Sequence, residues 1–166
     1  LKLMKTQKSS LESPHYPVML SEVLKISSPS QGGLFVDCTF GGGSYSNALL
    51  KFPKTRVIAI DRDIQSTFIA RQLEKKFKKR FKFYQLKFSQ INSIIKNYAD
   101  TVIFDLGLSS IQLNNLSRGF SFRSKDKLDM TMGLTNISAQ EVVNNLSESQ
   151  LKLIIRTLGE ELEASK

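Results

Sequence analysis

Three aspartates and a run of glycines mark where this chain has the residue types to do chemistry. Val36-Asp37-Cys38-Thr39-Phe40 is a short apolar stretch carrying an acid; Gly41-Gly42-Gly43 and then Ser44-Tyr45-Ser46 follow it. Glycines at a strand-to-helix turn let the backbone approach a bound ligand, because no side chain intervenes. A pyrophosphate at such a turn gains nothing from a neighbouring carboxylate. Asp37, four positions before Gly41, therefore tilts the loop away from dinucleotides. It suits S-adenosylmethionine, which carries a sulfonium and an amino group in place of phosphate. An ordinary tight turn is the plainer alternative.

Further candidates fall in order along the chain. Asp61 ends the apolar run Val57 to Ile60, 20 residues after Gly41, the spacing at which an acid reaches ribose hydroxyls. A turn role is the alternative. Asp63 is expected to be exposed. Phe88 lies against an adenine ring or belongs to the core. Asp105 ends Thr101-Val102-Ile103-Phe104; it either faces the methyl donor and its acceptor or caps a turn. Arg118 beside Phe120 and Phe122 suits a phosphate and a stacked base, making these three candidates for substrate binding. The two phenylalanines serve equally well as anchors of a loop.

These residues need elements to hold them at one rim. The pattern predicts a short helix from Ser21 to Lys25 and a first strand over Leu34 to Thr39. A helix over Ser44 to Lys51 and a second strand over Arg56 to Asp61 come next. A helix over Ile64 to Lys79 then leads to a third strand over Phe81 to Phe88. A short helix over Ile91 to Tyr98 and a fourth strand over Thr101 to Asp105 complete the alternation. Regular alternation with continuous apolar strands argues for an α/β fold with a parallel, doubly wound, Rossmann-like sheet. Ligands bind such sheets outside the carboxyl ends of the strands. Leu106 to Gly133 reads as a long functional loop. Ser138 and Ser147 each open a capping-box pattern ahead of a helix, the second ending at Gly159, and Glu160 to Lys166 begins another. Residues 1–13 are expected to be a disordered tail, 14–111 a cofactor-binding half, and 112–166 a loop with the start of a helical domain. Four strands leave a sheet edge unpaired, so the chain is expected to be the front part of a larger protein, with the open edge inviting aggregation or a homodimer.

Composition narrows the function. The chain has 166 residues, 40% apolar and 23% charged, which is globular rather than disordered. No run approaches the ~18 apolar residues of a membrane span, and the N-terminus lacks the apolar segment of a secretory signal, so a cytoplasmic protein is expected. Cys38 is the single cysteine and His15 the single histidine. No disulfide forms within the chain, no metal site is expected, and Ser-His-Asp chemistry has little to work with. Net charge is +9, which favours a polyanion, nucleic acid first. Arg71, Lys75, Lys76, Lys78, Lys79, Arg80, Lys82 and Lys87 are concentrated against Glu74 alone. They form either a solvated helix end or a phosphate-contacting patch.

Several blocks together resemble the ribosomal RNA small subunit methyltransferase H (MraW) family. They are His15 to Leu20, Asp37 to Ser46, Ile60 to Asp63, Asp105 to Leu113, Arg118 to Phe122, Leu128 to Met132 and Gly159-Glu160-Glu161. The resemblance implies a class I S-adenosylmethionine-dependent sheet, here its first four parallel strands, with the start of an inserted helical substrate-recognition domain. It implies methylation of the exocyclic N4 amino group of a cytosine in the decoding region of 16S rRNA, in the small ribosomal subunit. The cofactor contacts it implies are Gly43, Ser44, Tyr45, Asp61, Phe88, Asp105 and Gln112, beside Gly41 of the glycine turn. Asp105 is the candidate for orienting the target amine. Ser44 stands where glycine is usual in the family and Tyr45 where histidine is frequent, which raises the question of the backbone angle at Ser44. Two rivals remain. One is a methyltransferase with a different substrate. The other is an inactive fragment that binds cofactor or RNA and turns nothing over.

Overall fold

The computed structural model describes residues 17–133 and 136–164. The expected tail over 1–13 and the lead-in at His15 and Tyr16 lie outside the described residues. Four strands form one parallel sheet: β1 (Gly33–Asp37), β2 (Thr55–Asp61), β3 (Phe81–Gln85) and β4 (Thr101–Ile103), in the order β3-β2-β1-β4. Parallel pairing brings Asp37, Asp61, Gln85 and Ile103, the last residue of each strand, to one rim. This is the parallel, Rossmann-like α/β sheet that the alternation of elements predicts.

Strand alternation builds two cores. Phe35 packs on one face with Leu49, Leu50, Val57, Ala59 and Phe81. Its neighbour Val36 packs on the other with Cys38 and Ile60, because successive side chains leave a strand on opposite faces. β2 is buried or half-buried along its length except at Arg56, as its apolar run implies. β4 is not: Val102 is 42% exposed. Its outer edge pairs with no strand among the described residues.

Helices α1 (Leu20–Ser27), α2 (Ser44–Leu49) and α3 (Ile64–Phe77) flank the sheet. α1 runs further at both ends than the pattern predicts, and α2 and α3 stop short. At the end of α2 the Thr55 hydroxyl donates to the Leu49 carbonyl at 2.8 Å. The Arg80 guanidinium holds the turn that follows, donating to the carbonyls of Leu50 at 3.1 Å and Phe52 at 2.9 Å. α3 ends where Lys78 turns to φ 48° and begins the 3-10 turn Lys78–Arg80. β3 stops at Gln85 rather than Phe88, which opens the 3-10 turn Phe88–Ser93 in place of a helix to Tyr98.

The segment from Leu106 to Gly133 is more ordered than a loop. It contains α4 (Ser110–Asn114) and the 3-10 turn Leu116–Arg118, which lack an apolar period because they are too short to show one. α5 (Ala139–Asn145) and α6 (Glu148–Leu158) start at Ser138 and Ser147, each with the full capping box. Glu160 to Ala164 turns without forming the further helix expected there.

Candidate functional site

The rim of strand ends opens into a cleft of about 670 Å³, within the range of small-molecule sites. Gly41, Gly42, Ser44, Tyr45, Asp61, Phe88, Asp105 and Gln112 all line it. Seven of the eight predicted cofactor residues are among them, and the eighth, Gly43, is not.

Gly43 works one layer below. It takes φ 75° as the residue before α2, and its N–H donates to the Phe40 carbonyl at 2.7 Å. An added Cβ would stand 2.7 Å from the Phe40 ring, so no side chain fits. With Gly43 absorbing the left-handed angle, Ser44 is the first residue of α2 and has no positive φ. Serine therefore costs this turn nothing. Tyr45 donates its hydroxyl to the Val18 carbonyl, which draws the segment ahead of α1 over the cleft. Its pKa is raised by burial, then by the charges of Asp105 and Asp37.

Asp37 is not beside the ligand space, as the sequence suggested. It is fully buried beneath the loop, accepting from the Ser46 hydroxyl at 2.7 Å and the Thr39 N–H at 3.3 Å. Burial pushes its carboxyl up to about 6, against the lowering effect of those two bonds. Its work is to tie the loop to α2. Cys38 is likewise buried, and its thiol is pushed up to about 11, so it is held as a thiol and not as a nucleophile.

Asp61 faces the cleft with its carboxylate held from behind. Oδ2 accepts the Gly41 N–H at 2.6 Å and Oδ1 accepts the Asp63 N–H at 2.8 Å. Each oxygen keeps a lone pair for a ligand. Asp105 lies beyond the end of β4. Its N–H donates to the Thr39 hydroxyl at 2.8 Å, fixing it against the loop after β1. Its carboxylate is exposed at the cleft and caps no turn among the described residues. Phe88 is 45% exposed and meets Phe104 edge-on, with centroids 5.6 Å apart. It offers the cleft an aromatic surface rather than joining the core.

Asp63 reverses its expectation: it is 2% exposed. It accepts from Gln65 N–H at 3.0 Å, from Gln112 Nε2 at 2.8 Å, and from Arg118 at 2.7 Å in a buried ion pair. The missed signal was its position directly ahead of α3, where an Asp caps the helix. Gln112 receives the Ser109 N–H at 2.9 Å on its other end, so it keeps one amide N–H for a ligand. Arg118 also donates to Gln65 Oε1 at 3.1 Å and to the Thr131 carbonyl. It is a latch holding the 106–133 segment to the end of β2, and its expected contact with RNA is corrected accordingly. Phe120 lies 5.0 Å from that guanidinium and is occupied by it. Of the three substrate candidates only Phe122 stands fully exposed.

The arrangement is a cleft with a carboxylate at the second strand end, glycines at the first and an open carboxylate at the fourth. The sequence profile of the MraW methylase family matches residues 12–166. The chain belongs to that family. It is 40% identical over 92% of its length to the ribosomal RNA small subunit methyltransferase H of Parvibaculum lavamentivorans, covering 46% of that protein. It is 41% identical to the one of Ehrlichia ruminantium over 92% of the chain and 52% of that protein. For the one of Bartonella tribocorum the identity is 39%, over 97% of the chain and 48% of that protein. The chain thus spans about half the length of these curated relatives. Among solved structures, an rRNA methylase from Streptococcus thermophilus overlaps 58% of each chain at TM-score 0.45 and 17% identity.

Among the described residues no group of acids, histidine or cysteine is placed to hold a metal, and no helix is long and apolar enough to cross a membrane.

Proposed function

We propose that the protein carrying this chain is an S-adenosylmethionine-dependent methyltransferase of small-subunit rRNA, modifying the exocyclic N4 amino group of a cytosine in 16S rRNA in the cytoplasm. The observation that carries this is Asp61, pinned by the Gly41 N–H at 2.6 Å in the cleft at the carboxyl ends of the strands. The residues present fit the cofactor. The cleft is large enough, two oxygens of Asp61 suit a pair of ribose hydroxyls, and Phe88 suits a planar ring.

When bound, S-adenosylmethionine supplies an electrophilic methyl group. The chain's own residues supply position. The glycine turn admits the ligand without side chains. Asp105 accepts a hydrogen bond from the target amine, turns its lone pair toward the methyl, and takes up the proton that the nitrogen releases. Cytosine N4 is a poor nucleophile because its lone pair is delocalised, so alignment is the larger contribution. A base inside a helix reaches the cleft only when unstacked. α5 and α6 open the domain that recognises the RNA, with Phe122 free to stack.

The test is transfer of labelled methyl from S-adenosylmethionine to purified small ribosomal subunits by the complete protein, with the modified nucleoside identified by mass spectrometry. Label on N4 of one cytosine is expected. Cofactor binding without label in rRNA would overturn the substrate assignment. The rival reading, that the 166-residue chain by itself binds without turnover, is favoured by the unpaired edge of β4. The same assay on this chain alone decides it, since any turnover excludes it.

A further inference from the structure

The basic run between α3 and the cleft does not act as one patch. Arg80 is spent on the turn between α2 and β2, with both terminal guanidinium nitrogens on carbonyls. Lys78 and Lys79 are exposed in the turn ahead of β3. Lys82 is exposed on β3, with its Nζ 4.9 Å from the centroid of the Tyr84 ring. Lys87 is exposed where the strand reaches the cleft, beside Phe88. The two ion pairs of the described residues involve none of these lysines. Glu74, the one acid nearby in sequence, is turned inward to accept the Phe83 N–H at 3.1 Å.

Topology orders these groups. β3 is the edge strand. Phe81 and Phe83 point to the α3 side and join that core, so Lys82 and Tyr84 share the opposite face. Lys78 and Lys79 lie at the start of the strand, Lys82 and Tyr84 along it, and Lys87 and Phe88 at the cleft. Tyr84 is covered by Lys82 as Phe120 is by Arg118, so the line offers single-stranded nucleic acid charge for its phosphates and, at the cleft end, the open Phe88 ring for a base.

We propose that the β3 edge is a track for a single RNA strand, running from the cleft to phosphate contacts at Lys78, Lys79 and Lys82. The track rests on the methyltransferase reading for the base at its cleft end, and adds a contact remote from the chemistry. Its length follows from the strand. Five residues at about 3.3 Å each span about 17 Å, and a stacked nucleic-acid strand covers that in about five nucleotides. A short oligonucleotide in the cleft therefore does not reach Lys78, whereas a longer one does.

The test uses the complete protein and two probes, a labelled uridine trinucleotide and dodecanucleotide, with affinity measured against salt concentration. The variant Lys78→Gln/Lys79→Gln/Lys82→Gln removes three exposed charges and, among contacts, the one of Lys82 with the exposed side of the Tyr84 ring. Three single-strand phosphate contacts lower the salt slope by about 2, so dodecanucleotide binding is expected to fall at least about tenfold at low salt. Trinucleotide binding, S-adenosylmethionine binding and the melting temperature are expected to be unchanged, as is dodecanucleotide binding by Lys25→Gln, whose lysine is exposed on α1. An unchanged dodecanucleotide slope in the triple variant would overturn the track. So would equal losses for both probes, which would put the contacts inside the cleft. Loss of binding to anionic lipid vesicles alone would assign the lysines to a membrane surface instead. Absence of cofactor binding in every variant would count against the methyltransferase reading while leaving the salt slope to judge the track.

Discussion

Removing Arg118 separates a latch from an RNA contact. Its side chain is 11% exposed and that of Asp63 3%, so Arg118→Met leaves a carboxylate buried without its counter-charge. Breaking one side of a buried pair costs ~3–5 kcal/mol. Asp63 would keep two neutral donors, Gln65 N–H at 3.0 Å and Gln112 Nε2 at 2.8 Å, which places the loss at the low end, about 3 kcal/mol. That is a large share of the ~5–15 kcal/mol that holds a domain together. Urea unfolding of the complete protein reads it as a lower midpoint. The double variant Arg118→Met/Asp63→Asn removes the stranded charge and is expected to recover more than half of the loss, because a pair is missed far less than one partner. A change within about 0.5 kcal/mol, the range of surface substitutions, would refute the latch. A drop in RNA affinity in its place would restore Arg118 as a substrate contact.

Asp61→Ala is expected to weaken S-adenosylmethionine binding by ~1–3 kcal/mol, the scale of a hydrogen bond to a charged group; calorimetry showing unchanged affinity would remove the ribose assignment. Gly43→Ala forces φ 75° and a 2.7 Å contact with Phe40, and is expected to lower the melting temperature and cofactor affinity together, whereas loss of affinity at full stability would return Gly43 to direct contact. Asp37 gives a pH dependence. Its folded carboxyl is raised from 3.8 to about 6, so the stability it contributes is full below about pH 4 and is lost as pH rises through about 6, a change of about 3 kcal/mol. Asp37→Asn keeps an acceptor for Ser46 and is expected to flatten stability between about pH 4 and pH 7; a wild-type slope in the variant would sink the assignment.

The sheet was legible because its strands are continuous apolar runs. Val57 to Ile60 must be buried on both faces, and glycine and acid residues end the runs where the chain turns. Both capping boxes were legible for the same local reason: Ser138 and Glu141, or Ser147 and Gln150, sit within one helical turn of each other. Element ends were less so. The turn after α2 is held by Arg80, which donates to the Leu50 carbonyl from 30 positions away, and no local pattern contains that information. The same holds for Ser44, whose permissive backbone is a consequence of Gly43 and of the Phe40 ring behind it.

Charge was the least legible property, and the reason is physical. A sequence counts ionic groups but does not say which spend their charge inside the protein. Asp37, Asp63, Arg80 and Arg118 all looked available to a ligand or to solvent. Each proves to be committed to the fold through partners 2 to 55 positions away. Burying a charge without partners is too costly to persist, so their hydrogen bonds are the condition of their burial, and they are withdrawn from the surface electrostatics. Subtracting them sharpens what remains. Asp61 and Asp105 stay open to the cleft, and Lys78, Lys79, Lys82 and Lys87 stay open along one edge strand. Around the cleft this leaves two carboxylates at a ligand site and a line of exposed lysines leading to it. That separation is what the proposed RNA track needs if one strand is to deliver a base to the cleft.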